Sequence, residues 1–265
     1  ARTGPRASSM MVLITLIARF APVLSESDWL AERKEPLWVD VLRWLGVVVF
    51  TLHTLLLGKV WLASIDGWAT APWIAASLVL GYATADLLSG IVHWISDTYG
   101  SRDTPIYGRL YAIPFRDHHI DPTSLCEESF VESHGINALS ATGMLALAYY
   151  LQDFQAPTTM TLFWGGFALA TSIGVLIAGQ SHKWAHQSEV PWLVERCQNY
   201  GLLAHPTAHA LHHDGHHNDH FCIASGWWNV PLARIRFYRR LEQVIARTFN
   251  ITPIRCIENS VRSIC

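Results

Sequence analysis

The chain has 265 residues and a formal net charge of −2; about half of its residues are hydrophobic and only 15% are charged. Soluble proteins usually carry about a quarter charged residues, and the mean hydropathy here is +0.21. These values argue against a water-soluble enzyme and favour a membrane protein with one catalytic domain. The five cysteines are widely spaced and form no CxxC pair, which argues against a disulfide framework and a thiolate zinc site.

Residues 1–36 are predicted to form a separate N-terminal segment. Its first ten residues contain arginine and serine but no acid, and an apolar stretch follows at 10–25. This pattern fits a targeting segment or a helix lying at the membrane interface. Residues 37–265 are predicted to form one membrane domain that includes a cytoplasmic C-terminal region.

Four apolar blocks have about the length that a membrane-spanning helix requires, which is roughly 20 residues. The predicted fold class is therefore all-α, a four-span helical membrane protein. The third block is short and carries the weakest signal. The predicted spans are residues 38–62, 72–95, 136–152 and 159–181.

The distribution of basic residues predicts which side of the membrane each loop faces. Of the nineteen lysines and arginines, only Arg43 and Lys59 fall inside predicted spans, and the loops after the first and third spans contain none. Cytoplasmic loops are enriched in lysine and arginine. The N-terminus, residues 96–135 and residues 182–265 are therefore predicted to lie in the cytoplasm.

Histidine is the residue type that carries the candidate chemistry. Nine of the fourteen histidines lie between His182 and His220, and several groups have spacings that share one face of a helix. The adjacent His118 and His119 cannot share a helical face and suit a turn or a helix start. The spaced groups are His182 and His186 in HKWAH, His209, His212 and His213 in HALHH, and His93 and Asp97 in HWISD.

These eight histidines predict a site for two metal ions at the cytoplasmic face. Eight ligands exceed the need of one ion, because a catalytic zinc uses three protein ligands and one open position. Shared between two ions, they provide about four each. Imidazole suits iron, zinc and copper, so the residues alone favour iron and leave zinc open.

The remaining histidines and acidic residues have different predicted roles. Asp86 lies two helical turns before His93 inside a span, where a carboxylate is costly, and we expect it to orient a histidine N–H. Asp97 is either a metal ligand or an orienting residue. His134 and His217 are possible additional ligands. The other histidines are expected to be structural, to cap helices or to face solvent: His53, His205, His216 and His220.

The chain resembles the plasmanylethanolamine desaturase family and the related plastid palmitate desaturases. The resemblance covers about residues 80–250, and the matching segments are DLLSGIVHWISDTYGS, PFRDHHIDPTS, HKWAH and HALHHDGHHNDHFCIASGWWNVPL. It implies a histidine-box membrane oxidoreductase that binds two irons and forms the vinyl ether double bond of plasmalogens. It also implies metal or essential roles for His93, Asp97, His118, His119, His182, His186, His209, His212 and His213, with His217 matching a histidine of animal members.

The resemblance further implies a substrate, a co-substrate and an electron source. The substrate would be a 1-O-alkyl phospholipid, the co-substrate O2, and the electrons would come from outside, because no flavin or nicotinamide motif is visible. The basic cluster Arg234, Arg236, Arg239 and Arg240 suits an acidic donor such as cytochrome b5, or alternatively anionic lipid. The endoplasmic reticulum is the expected location, with a plastid or bacterial membrane open, and no nucleic-acid partner is expected.

Three alternative functions remain at this point. An acyl-lipid desaturase or hydroxylase keeps the chemistry and changes the substrate. A metal transporter is a second possibility, although transporters place their ligands near the membrane midplane. A zinc-dependent membrane hydrolase is a third, and it is disfavoured because the sequence has no HExxH motif or nucleophile elbow.

Overall fold

The computed structural model describes residues 36–214 and 217–254, and all regular structure within these ranges is helical. The long helices are α1 (Leu37–Ala63), α2 (Ala71–Tyr99), α5 (Phe130–Leu151) and α6 (Thr159–Ala185). The short helices are α3 (Ile113–Ile120), α4 (Ser124–Glu127), α7 (Trp192–Asn199), α8 (Pro206–His213), α9 (Asn229–Arg234) and α10 (Phe237–Phe249). The prediction for the N-terminal segment falls, apart from Pro36, outside the described residues.

Among the described residues, three helices are long and apolar enough to cross a membrane: α1, α2 with the turn that precedes it, and α6. They correspond to the first, second and fourth predicted spans. The third predicted span lies within α5 except for its last residue, Gln152; α5 has 22 residues and is not among these three helices. Its first turns carry Glu132 and His134, which lower its apolar character. The all-α class is thus confirmed, together with three membrane-capable helices.

The long helices pack closely in pairs, α1 against α5 and α2 against α6. Glycines make this approach possible: a Cβ at Gly46 would run into the backbone carbonyl of Gly135, and one at Gly81 would lie 2.7 Å from the carbonyl oxygen of Phe167. Small residues at helix contacts are typical of membrane bundles, where apolar side chains gain little by leaving lipid. The close packing fixes the positions of the helix ends relative to one another. The candidate ligands lie at these ends.

Capping residues fix where α5 and α6 begin. Ser129 and Glu132 form a reciprocal capping box at α5, and Thr158 and Thr161 form one at α6. Each box satisfies backbone N–H groups that lack partners inside the helix. The start of α5 and the end of α6 therefore meet at one end of the bundle in a defined register.

The C-terminal part of the chain is anchored to the end of α2 by an apolar cluster. Trp94 and Tyr99 of α2 pack with Phe221, Tyr238 and Ile245, all of them buried. The indole N–H of Trp94 also donates to Glu242 at 2.9 Å. This packing holds α10 and the loop that follows α8 against the end of α2.

Candidate metal centre

The structure brings the predicted ligands together at one end of the helix bundle. His93 and Asp97 lie near the end of α2, and His182 and His186 at the end of α6. Helix α8 supplies three more histidines from the C-terminal region. Ligands spread over some 120 residues of sequence converge because the helix ends that carry them lie at the same end of the bundle.

The ligand atoms form two main groups, and within each group one nitrogen or oxygen per residue lies within 4.8 Å of all the others. A third set, His119, His213 and His217, lies where the two groups meet. The first group is five histidines: His118, His182, His186, His209 and His213. The second group is His93, Asp97, His119 and His212.

The paired histidines His118 and His119 serve different groups. They lie in the last turn of α3 rather than at the turn or helix start that we expected. Neighbouring residues on a helix point about 100° apart, so His118 reaches the first group and His119 the second. A five-residue π-helix, Gly108–Ala112, leads directly into α3, and such segments are frequent at functional sites.

The spacing of nitrogen atoms in the first group matches that of ligands around one ion. The Nε2 atoms of His186 and His182 are 3.3 Å apart, those of His209 and His186 are 2.9 Å apart, and those of His213 and His209 are 3.0 Å apart. Metal–nitrogen bonds of about 2.1 Å place neighbouring ligands roughly 3.0–3.4 Å apart. The five side chains therefore fit a metal ion.

The second group contains buried acceptors that face one another. His93 Nδ1 is 3.1 Å from the Phe221 carbonyl and His212 Nδ1 is 2.8 Å from the Asp219 carbonyl. Each ring then donates its Nδ1–H to that carbonyl and leaves Nε2 as an acceptor. Those Nε2 atoms lie 3.2 and 3.3 Å from Asp97 Oδ2. Acceptors this close repel unless a cation lies between them, so this group also fits a metal ion.

The buried polar atoms support the same interpretation. Within the described ranges, His93 Nε2, His118 Nε2 and both carboxylate oxygens of Asp97 are buried without a hydrogen-bond partner. Such atoms cost free energy unless something binds them. A metal ion in each group would satisfy all four.

Burial keeps four of the ligand histidines that lie outside the spans neutral. It lowers the pKa of His186 to about 4 and that of His213 to about 3, with neighbouring imidazoles adding to the effect. The pKa values of His118 and His209 are lowered well below the usual range for the same reasons. A neutral imidazole is the form that binds metal, so the site is ready for a metal ion at neutral pH.

These depressed pKa values predict a pH dependence of stability. Between the ordinary value of 6.5 and about 4, the unfolded chain takes up protons that the buried imidazoles do not. Stability therefore rises with pH across this window and falls as pH is lowered through it. We expect the melting temperature of metal-free protein in detergent to drop between pH 7 and pH 4.5. An unchanged melting temperature over this range would contradict the neutral, buried state of these rings.

The other histidines lie outside the two main groups. His205 caps α8 by accepting from the Thr207 N–H at 3.2 Å, and His220 pairs with Asp219. His53 contacts the Val49 carbonyl inside α1. His134, a possible additional ligand, is buried against Phe130 and is in none of the ligand groups of the described chain. His216 lies outside the described residues.

Asp86 has a different partner from the one expected. Its carboxylate is fully buried, and it accepts hydrogen bonds from the backbone N–H groups of a loop rather than from a histidine. These donors are Ala224, Ser225, Gly226 and Trp228, at 2.8–3.3 Å. The sequence pointed to a histidine because Asp86 and His93 share a helix face. The fold instead places the 224–228 loop directly over this carboxylate.

An apolar cavity of about 260 Å³ runs between the long helices and reaches the first ligand group at His118 and His182. Its lining on α5 extends from Glu132 to Met144, roughly 18 Å along the helix axis. Most of the lining is apolar, as expected of a cavity for a hydrocarbon chain. It includes Leu88 and Val92 of α2, Ile136 of α5, and Val175 and Ala178 of α6.

The fold and the site together define a class: a helical protein with membrane-capable helices, whose histidine-rich candidate metal site adjoins an apolar cavity. Comparison with known families agrees, because residues 82–256 match the lipid desaturase domain. The chain belongs to the lipid desaturase family, in the branch that resembles the plasmanylethanolamine desaturases, and is an oxidoreductase. The family membership disfavours the transporter and hydrolase alternatives.

Individual relatives come from several kingdoms. The mouse protein named plasmanylethanolamine desaturase 1 is 36% identical over 78% of this chain and 75% of its own length. The Myxococcus xanthus plasmanylethanolamine desaturase is 35% identical over 68% of this chain and 64% of its own length. The Arabidopsis thaliana protein named fatty acid desaturase 4, chloroplastic, is 32% identical over 65% of this chain and 52% of its own length. No solved structure matches the chain.

Proposed function

We propose that this protein is a plasmanylethanolamine desaturase, which introduces the vinyl ether double bond next to the ether oxygen of a 1-O-alkyl phospholipid. The observation that carries the proposal is the apolar cavity whose lining includes His118 and His182. It would place a hydrocarbon chain beside the first ligand group. The names of the mouse and Myxococcus relatives support the choice of an ether lipid.

Two iron ions are the proposed occupants of the two main ligand groups. Five imidazoles in one group exceed the four-coordinate geometry that zinc prefers, and a nitrogen-rich set without cysteine suits iron. No side chain can oxidise an unactivated C–H bond, and the irons would supply that capacity with O2. Overall, the alkyl ether loses one hydrogen from each of two neighbouring carbons. With two external electrons and two protons, O2 leaves as two waters.

The protein's own residues would orient and isolate this reaction. The backbone carbonyls of Phe221 and Asp219 hold the rings of His93 and His212 through their Nδ1–H groups. The long helices exclude water from the alkyl chain. Asp97 supplies the negative charge of the second group, and Asp86 positions the loop beside it.

The proposed membrane arrangement has four spans, with α5 as the third. The ends of the long helices that carry the site would then lie on the cytoplasmic face, in agreement with the distribution of basic residues. The endoplasmic reticulum is the proposed location. Both proposals rest on patterns in the sequence and on the position of the site-bearing helix ends at one end of the bundle.

An acyl-lipid desaturase is the second candidate, favoured by the Arabidopsis relatives named fatty acid desaturase 4 and its homologues. The two candidates differ in whether an ether or an ester joins the chain to glycerol, and therefore in which carbons of the chain can be desaturated. The apolar cavity would suit either hydrocarbon chain. Lipid analysis must therefore separate them.

Lipid mass spectrometry on plasmalogen-free cells tests the proposal. Cells would express the wild type, the His182→Ala/His186→Ala variant or the His53→Ala control, and would be fed an alkyl-ether lipid. We expect acid-labile vinyl ether lipid with the wild type and the control only. A folded, iron-loaded wild type that forms a new acyl double bond instead would establish the second candidate.

Electrons are proposed to arrive from an acidic one-electron donor such as cytochrome b5. Arg234, Arg236, Arg239 and Arg240 are all exposed and lie on or beside α9 and α10. Helix α10 packs against the end of α2 through Tyr238 and Ile245. The basic surface therefore lies near the helix that carries His93 and Asp97.

Reversing two of these charges should slow turnover with a protein donor. We expect the Arg239→Glu/Arg240→Glu variant to lose about tenfold in donor-dependent rate at low salt, because complementary charge speeds encounter by that factor or more. Its rate with a small chemical reductant should stay unchanged. Arg247→Glu, on the same helix, is the control. Equal loss with both reductants would show damage to the fold rather than to donor docking.

A further inference from the structure

One end of the cavity is polar, in contrast to the rest of its lining. Arg43 of α1, Glu128 before α5, and Glu132 and Ser133 in the first turn of α5 all contribute to it. Charged groups are expensive beside a hydrocarbon cavity. Their position there calls for a ligand that carries charge at one end.

Arg43 is nine-tenths buried and incompletely paired. It is 8% exposed, and its Nη1 donates to the exposed Asp40 at 3.0 Å. Its Nε is buried and has no hydrogen-bond partner within the described ranges. A guanidinium has five donors in a planar fork that matches phosphate. Arg43 therefore offers unused donors to an anion that enters the cavity.

Glu128 is the carboxylate best placed to receive a cation. Glu132 is engaged in the capping box of α5, whereas Glu128 accepts one hydrogen bond from a described residue, Ser133 Oγ at 2.8 Å. Burial raises the pKa of Glu128, and the hydrogen bond from Ser133 and the charges of Arg43 and Lys183 only partly offset this effect. A carboxylate has about four acceptor positions, so most of its capacity is available to a ligand.

The polar end is tied to the metal centre through the backbone. Lys183 directly follows His182, and its Nζ donates to the backbone carbonyl of Glu128. Because α5 and α6 run antiparallel, the start of α5 and the end of α6 lie at the same end of the bundle. The charged groups and the first ligand group are therefore neighbours at one end of a single cavity.

We propose that this polar end binds the phosphoethanolamine head group of the lipid, with Arg43 holding the phosphate and Glu128 the primary ammonium. The inference rests on the proposed function and adds the residues that select the head group. The vinyl ether forms next to glycerol, so the carbons to be oxidised are only a few bonds from the phosphate. An enzyme acting there must bind the head group close to the metal centre, whereas the alkyl chain can occupy the apolar remainder.

Equilibrium binding tests the inference separately from turnover. The probe is a fluorescent 1-O-alkyl phosphoethanolamine lipid bound to purified full-length protein in detergent and displaced by unlabelled ethanolamine or choline lipids with the same chains. We expect the wild type to prefer the ethanolamine lipid. Glu128→Gln should weaken binding of that lipid about tenfold, the effect of one charge-assisted hydrogen bond, and remove the preference over choline.

Replacing Arg43 should weaken binding of both the ethanolamine and the choline lipid, because both head groups contain a phosphate. Arg43→Gln is expected to weaken both about tenfold and to leave their ratio unchanged, while Arg43→Lys, which keeps the charge, should lose less. Glu127→Gln, the exposed neighbour that does not line the cavity, is the matched control. Melting temperature and iron content of every variant would confirm an intact fold.

The outcomes separate this inference from the proposed function. A Glu128→Gln protein that keeps the full ethanolamine preference, or an Arg43→Gln protein with unchanged affinities, would overturn the head-group assignment. If the wild type binds as expected but iron-loaded, reduced protein desaturates no ether lipid, the proposed function fails and the head-group site stands.

Discussion

Replacing His212 by alanine is expected to abolish desaturation and to remove iron from the second ligand group. That group has four members, so the loss leaves two imidazoles and one carboxylate. The His212 ring also bonds the Asp219 carbonyl and lies 3.1 Å from His119 Nε2. Loss of a residue that only orients a ligand costs about 10–100-fold. Loss of a ligand should therefore lower the rate by more than about a hundredfold.

Iron analysis and turnover on purified protein would check this result. We expect bound iron to fall from about two per chain to about one in His212→Ala. The first group, with five histidines, should keep its iron. His53→Ala serves as the control, since His53 lies inside α1 away from the site. Full iron content together with normal turnover in His212→Ala would remove this histidine from the metal centre.

Replacing Asp86 by alanine is expected to destabilise the protein by about 3–5 kcal/mol, the usual cost of removing one partner from a buried charged network. The change leaves four N–H groups of the 224–228 loop, two of them buried and two part-buried, without their acceptor. Unsatisfied buried donors each carry a desolvation penalty. The loop adjoins Phe221, whose carbonyl orients His93, so iron affinity should also fall.

The matched variants make this prediction specific. In Asp86→Asn an amide oxygen can still accept the three bonds now made to Oδ1, so the loss should be smaller than in Asp86→Ala. Asp66→Asn changes an exposed aspartate between α1 and α2 and should have no effect. Melting temperatures in detergent would rank the stabilities of the wild type and the three variants. Equal stability of the wild type and Asp86→Ala would contradict the structural role assigned to this carboxylate.

The helices and the ligand types were predictable because they depend on local patterns. Apolar length marks α1, α2 and α6, and spacings of three and four residues mark the histidines of α6 and α8. The paired His118 and His119 lacked such a spacing. The position of α3 determines that they contribute to different ligand groups. The division of the ligands into groups of five and four comes from helix packing, which no single motif encodes.

The role of Asp86 and the polar end of the cavity required the fold. Asp86 meets a loop about 140 residues later in the chain, a contact that helical periodicity cannot reveal. In the sequence, Arg43 fitted only the enrichment of basic residues on the cytoplasmic side. No motif marked it as a binding residue. Only the packing of α1 against α5 shows that it lines the same cavity as Glu128.

The most direct test of the central claim uses a 1-O-alkyl ethanolamine phospholipid that carries deuterium on the first two carbons of its alkyl chain, counted from the ether oxygen. The iron-loaded, reduced protein would be incubated with this lipid and O2, and the product analysed by mass spectrometry. We predict an acid-labile product that has lost one deuterium from each of these carbons and gained no oxygen, formed only when O2 and iron are present. A lipid that retains both labels, or that gains an oxygen atom, would contradict the assignment of this protein as an ether-lipid desaturase.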